Sequence, residues 1–398
     1  MSVFLRPITW LCFVVTVFAN PLHSEQLNTT QWELNMVTYG QVICDLMSNP
    51  RTDYQTQLRS YDYDSLWVFY QIYNYTGDSR WLNCAKAARK FYRDEYLNKH
   101  EDDLASDKLF VHGLLQDHQF YNSQKTLKAL ETLLQESKRL ANKLALASLD
   151  NTQEVAQALM VLVTMKDNAN HSQEAQDKLL NAALGHVNAW TGLQSTHTFF
   201  PYRAGITAEA LIFYEQNIGD PRIQTALKQL AQMMWANYWQ ESTRSFAYSS
   251  QSPESAPDLN QLIAPLYAWL GYKDKDLVSQ ERATQIFNGG VDYAWLMSGK
   301  HFNQNYRWSF SAVLWQLMTD ERQPPQTPPP PYASPLPYNP PAPSAPTVTN
   351  DPISSVAANQ GIPELATWEE HMLTYGRKNC EYINSNVSFD EKLISNYY

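Results

Sequence analysis

The chain predicts an all-α fold, with one large domain built of paired helices. Three observations carry this. Apolar residues recur at intervals of three and four through residues 31–320, whereas strand-like alternation is scarce. Glycine is low, at 13 in 398 residues, which leaves few places for tight strand connections. The same turn also recurs between helices. Tyr75-Thr76-Gly77-Asp78-Ser79-Arg80 precedes one helix and Asn217-Ile218-Gly219-Asp220-Pro221-Arg222 precedes another. Lys273-Asp274-Lys275-Asp276 stands in the same place before a third. Gly closes a helix, Asp caps the next, and Pro221 suits a first helical position.

In chain order, the periodicity predicts helices over about 31–48, 64–75, 79–98, 107–121, 124–145, 152–166, 171–189, 204–217, 221–239, 258–271, 277–295 and 306–319. Short turns join consecutive segments, so neighbours should run antiparallel. After each recurring Asp an Ala follows at six or seven residues (Ala85, Ala226, Ala283). A hairpin used repeatedly implies helices stacked in pairs.

A longer internal match sets the domain organisation. Trp32-Glu33-Leu34-Asn35-Met36-Val37-Thr38-Tyr39-Gly40-Gln41-Val42-Ile43-Cys44 reappears as Trp368-Glu369-Glu370-His371-Met372-Leu373-Thr374-Tyr375-Gly376-Arg377-Lys378-Asn379-Cys380. The offset is constant, and Tyr61 against Tyr397 keeps it. The expected organisation is a signal peptide at 1–24, a helical domain at 25–322, a Pro-rich linker at 323–365, and at 366–398 a truncated start of a second copy. Residues 323–346 hold most of the proline and should form a stiff, polyproline-type spacer.

Residues 1–24 carry Arg6 ahead of the apolar run Leu11–Ala19, the pattern of a secretory signal. The expected location is therefore secreted or periplasmic, with no membrane insertion once the signal is cleaved. Cys12 falls in the signal. In an oxidising compartment Cys44 and Cys84 form a candidate disulfide; two buried thiols are the alternative. A formal net charge of −10 without a basic cluster argues against nucleic acid. The sequence leaves the oligomeric state open.

Twelve helices as six hairpins, with Tyr-Thr-Gly-Asp turns before Trp81 and aromatic-plus-Asp helix starts, resemble the (α/α)6 toroid of the six-hairpin glycosidases. The resemblance covers about 31–320. It implies an oligo- or polysaccharide substrate, no cofactor, and a central cleft lined by alternate helices. Residues just before the starts of those helices would share one rim: Tyr61-Asp62-Tyr63-Asp64, Phe110 and His112, Asp150, Asn151 and Glu154, Phe200-Pro201-Tyr202-Arg203 with Glu209, Asp258 and Asn260, and Asn303, Asn305 and Tyr306-Arg307-Trp308.

Glycoside hydrolysis needs one carboxylic acid to protonate the leaving oxygen and a second carboxylate to activate water or attack carbon. Asp64, Glu209 and Asp258 are the candidates. Each has a structural alternative: Asp64 and Asp258 as helix caps, and Glu209 as half of an ion pair, with Arg203 as its expected partner. Glu154 is expected on a solvated face. Tyr61, Asp62, Tyr202, Arg203, Asn260, Tyr306, Arg307 and Trp308 are candidate substrate contacts. No His/Cys/Asp spacing suggests a metal, and phosphate-binding and dinucleotide signatures are absent from the sequence. Two alternatives to hydrolysis stand. One is a polysaccharide lyase using Tyr202 or Tyr306 with Arg203 or Arg307. The other is a non-catalytic, tandem glycan-binding module.

Overall fold

The computed structural model describes residues 25–100, 104–192 and 197–319. The segments expected to be a signal peptide (1–24), a Pro-rich linker (323–365) and the start of a second copy (366–398), with Cys12 and Cys380, lie outside the described residues. The described chain is all-α apart from one short ribbon. Its helices are α1 (Thr29–Ser48), α2 (Tyr54–Tyr61), α3 (Ser65–Thr76), α4 (Arg80–Arg89), α5 (His112–Tyr121), α6 (Gln124–Lys143) and α7 (Thr152–Thr164). There follow α8 (Gln173–Thr191), α9 (Pro201–Asn217), α10 (Pro221–Tyr238), α11 (Ala264–Asp274), α12 (Leu277–Tyr293), α13 (Gly299–Tyr306) and α14 (Ser309–Thr319). A π-helical stretch, Lys90–Leu97, continues α4. Strands β1 (Trp239–Gln240) and β2 (Ser245–Phe246) pair antiparallel, with Trp239 opposite Phe246.

Burial divides the helices into two kinds. α7 is buried without a break from Val155 to Val163, and α3 from Ser65 to Ile72. α9 and α11 are likewise buried over most of their length. A helix that is apolar all round lies inside. α6 instead buries one stripe, Thr126, Ala129, Leu130, Leu133, Leu134, Ser137, Leu140 and Ala141, and exposes the opposite face to solvent. Contacts follow the same division. α7 packs on α9, α9 on α11, α11 on α14 and α3 on α5, while α6 packs on α8 and α8 on α10. Consecutive helices also pair: α3 with α4, α5 with α6, α7 with α8, α9 with α10 and α11 with α12.

The two ends of this helical array meet. α1 packs on α12 and α13. The Asn28 backbone N–H donates to Asn288 Oδ1 at 2.8 Å, and Trp32 Nε1 donates to Ser309 Oγ at 3.1 Å. Asn303 Nδ2 donates to the carbonyls of Ser60 and Asp62, each at 2.8 Å. Trp32 packs among Tyr75, Phe287, Tyr306 and Phe310. The residues of α1 that reappear at 368–380 are mostly those that α1 buries: Trp32, Glu33, Met36, Gly40 and Cys44. Cys44 and Cys84 form a disulfide between α1 and α4, with Cα atoms 5.0 Å apart.

The recurring turn has one geometry. A left-handed residue comes first: Gly77 (φ 69°), Gly219 (φ 87°) or Lys275 (φ 55°). Asp78, Asp220 or Asp276 follows, and its carboxylate accepts the backbone N–H two residues on, from Arg80, Arg222 or Val278. Local chemistry alone sets these turns.

Three elements depart from the sequence expectation. α2 is unexpected: it is mostly polar and buries only Ser60 and Tyr61, so it carries no apolar stripe. The helix expected at 306–319 is α14, and an unexpected helix, α13, precedes it, the chain bending between them at Arg307 and Trp308. α13 holds its place through buried amides. Gln304 and Asn305 side chains both donate to the Asp258 carbonyl, contacts that no local pattern reveals. The β1–β2 ribbon was also unexpected.

Candidate functional site

The expected site residues fall into two groups, one buried and one open. The buried group centres on Arg307. Its Nε lies 3.1 Å from both carboxylate oxygens of Glu209, and both side chains are almost wholly buried, at 3% and 5% exposed. The expected partner of Glu209 was Arg203; the structure pairs it with Arg307, delivered by the bend between α13 and α14. Such a pair is retained by mutual compensation, since removing one partner leaves a buried charge at a cost of about 3–5 kcal/mol. Burial pushes the Glu209 carboxyl up, while Arg307 opposes it.

Asp64 caps α3. Its Oδ1 accepts from the Trp67 backbone N–H at 3.1 Å and from the Tyr61 hydroxyl at 3.2 Å, and its Oδ2 accepts from the Gly113 N–H at 3.0 Å. Gly113 is required for this approach: a Cβ there would lie 2.5 Å from Asp64 Oδ1. Burial raises the Asp64 carboxyl, and these hydrogen bonds and Arg307 oppose the rise. Asp64 and Arg307 are within electrostatic reach of each other, so the structure gathers Asp64, Glu209 and Arg307 into one cluster. His112 adjoins it, 3.4 Å from Met160 Sδ. Burial, with Arg307 nearby, holds the His112 ring down to about 3, so it is neutral at physiological pH. A cavity of about 10 Å³ lies against Glu209, His112, Phe213, Gln216, Trp308 and Trp315, space for about one water molecule.

Several expected substrate contacts are buried in structural roles. The Tyr306 hydroxyl donates to the Trp32 carbonyl at 2.6 Å. Asn260 bonds the Arg244 and Ile286 carbonyls and the Phe246 N–H, pinning the β-ribbon to α12. Tyr61 stacks on Tyr92 at 4.5 Å between ring centres. Asp258 lies apart from the cluster. It was a catalytic candidate, with helix capping as the alternative; its carboxylate instead accepts the Trp295 N–H and anchors the loop after α12.

The open group is a rim of aromatic and charged side chains. Phe200, Tyr202 and Tyr248 pack together, with ring centres 5.8–6.0 Å apart. Tyr248 is 43% exposed. The loop after β2 is tied to the segment before α9: the Ser250 N–H donates to the Phe199 carbonyl at 2.8 Å, and the Ser250 hydroxyl accepts the Phe199 N–H at 2.9 Å. Arg203 lies over the Phe200 ring, 4.7 Å from its centre, and donates to the Tyr202 hydroxyl at 3.3 Å. Asp62 pairs with Lys108.

Two residues expected along the rim, Glu154 and Tyr63, were not among the assigned catalytic or substrate-contact residues. Glu154, in the first turn of α7, was expected in solvent but is half-buried. Its Oε2 has no hydrogen-bond partner among the described residues. Burial raises its carboxyl, Asp107 and Asp150 add to this, and Arg203 opposes it. Its place in the helix start was visible; its partial burial against neighbouring segments was not. Tyr63 and Asp64 are consecutive left-handed residues, at φ 66° and 67°. Asp tolerates this conformation; for a bulky Tyr it costs roughly 1–2 kcal/mol. A short run of aromatics and acids before a helix gave no signal of that strain.

The chain matches no known family model, no curated protein and no solved structure.

Proposed function

We propose that the protein is an exported glycan-binding protein of the six-hairpin, (α/α)6 kind, which holds an oligo- or polysaccharide on the rim formed by Phe200, Tyr202, Arg203 and Tyr248. The observation that carries this is the partly exposed aromatic group with a guanidinium over one face. Aromatic faces stack on the apolar faces of sugar rings, and planar guanidinium donors bind their hydroxyls. The ring arrangement is supported by the alternation of interior and flanking helices and by the contact of α1 with α12 and α13. Export is inferred from the signal pattern and agrees with the Cys44–Cys84 disulfide.

Hydrolysis is the second reading, favoured by one observation: the half-buried Glu154 carboxyl beside the rim, with Asp107 and Asp150 as neighbouring carboxylates. A carboxyl raised by its surroundings is suited to donate a proton. The carboxylates first considered, Asp64 and Glu209, are buried and already engaged by hydrogen bonds and by Arg307. Elimination through Tyr306 and Arg307 finds no support, since Tyr306 is bonded to the Trp32 carbonyl and Arg307 to Glu209.

The test is a panel of β-1,4-linked gluco-, manno-, xylo- and N-acetylglucosamine hexasaccharides plus a uronate oligosaccharide, followed by calorimetry and product analysis. Binding without turnover supports the first reading. New reducing ends that disappear in Glu154→Gln support the second. An ultraviolet-absorbing unsaturated product, or no binding to any glycan, overturns both.

A further inference from the structure

We infer that Tyr63 supplies a hydrogen-bonding hydroxyl to the glycan on the rim, an assignment that rests on the glycan-binding reading above. Tyr63 and Asp64 are both left-handed and neither is glycine. A bulky residue stays in that region only where its surroundings over-determine it, and such outliers concentrate at ligand sites. The Asp64 conformation has a structural explanation, because it caps α3 and accepts from Gly113 across to α5. The Tyr63 conformation is not accounted for in that way, because the cap of α3 is Asp64 and not Tyr63.

The turn does give Tyr63 a position. Its side chain is packed in and 9% exposed, so the ring has little freedom. Its hydroxyl is within electrostatic reach of Tyr202, Tyr248 and Asp62 on the rim and of Arg307 beneath. It therefore stands where the open rim meets the buried cluster. A phenol both donates and accepts, which matches the hydroxyls of a neutral sugar. A preset ring supplies this contact without the ordering cost of a flexible side chain. The class of ligand that fits is a neutral, hydroxyl-rich saccharide laid across Tyr202 and Tyr248 with one hydroxyl turned down toward Tyr63.

The test uses Tyr63→Phe and Tyr202→Ala in the full exported chain, titrated with the same hexasaccharides well below the melting temperature. Tyr63→Phe keeps the ring, its packing and the strained backbone, so its melting temperature should match the wild type. Its affinity for the bound hexasaccharide should fall about tenfold, the loss of one hydrogen bond to a polar ligand. Unchanged affinity in Tyr63→Phe alongside weakened binding in Tyr202→Ala overturns the role of Tyr63 and leaves the glycan-binding reading intact. A wild-type protein that binds none of the hexasaccharides overturns both.

Discussion

The buried cluster and the rim are made of the same residue types, yet the fold uses them in opposite ways. Beneath the surface, Asp64, Glu209 and Arg307 satisfy one another and the backbone. On the rim, Arg203 lies on an aromatic face and Glu154 leaves an oxygen unpaired among the described residues. A carboxylate near the start of an interior helix is therefore insufficient to mark a site. What separates the groups is whether a polar atom is already spent inside the protein. The buried groups should govern stability, and the rim groups should govern binding.

The sharpest break between the two comes from Arg307. Arg307→Met should destabilise the protein by about 3–5 kcal/mol, because Glu209 would be left buried and unpaired. The double variant Arg307→Met, Glu209→Leu should recover much of that loss. Urea denaturation of the three proteins measures both effects. A single variant as stable as the wild type would remove Arg307 from the structural group.

His112 offers a pH test of the same cluster. Its folded-state value, about 3, lies below the value near 6.5 expected when unfolded. Between these, the unfolded chain holds the extra proton, so this contribution is present above about pH 6.5 and is lost as pH falls toward 3. The slope from one such group is at most about 1.4 kcal/mol per pH unit. Asp64 and Glu209, raised by burial, act with the opposite sign: their contribution is present at low pH and lost as pH rises through their folded values. They remain in both proteins when wild type is compared with His112→Gln. The stability gap between the two should shrink from pH 7 to pH 5. A constant gap would mean that His112 is not held neutral by the fold.

The rim should respond in the reverse manner. Tyr202→Ala should weaken hexasaccharide binding about five- to tenfold, the value of one aromatic contact, and change stability by less than about 1 kcal/mol. Thermal melting beside calorimetric titration reads both. Equal binding with a large stability loss would move Tyr202 to the buried group and blur the contrast.

How much was legible before the structure follows from the range of each interaction. The recurring turns were legible because their chemistry is local. Gly77 and Gly219 take a left-handed conformation that suits glycine, and Asp78 and Asp220 reach backbone donors two residues away. The interior helices were legible because burial on every side leaves an apolar run, as in α7. α2 and α13 were not, since short polar helices gain their stability from contacts made elsewhere.

By itself the sequence determined the all-α class, the approximate helix limits, the capping turns and the two cysteines able to bridge. Each depends on residues near one another in the chain or on a simple periodic pattern. Only the tertiary structure decided that Glu209 pairs with Arg307, 98 residues away, and not with Arg203. It alone turned Asp258 toward Trp295 and left Glu154 half-buried, with one oxygen unpaired among the described residues. The physical reason is that a charge's role depends on which partner reaches it and how much water remains around it. Both are set by packing between distant helices, and the local sequence records neither.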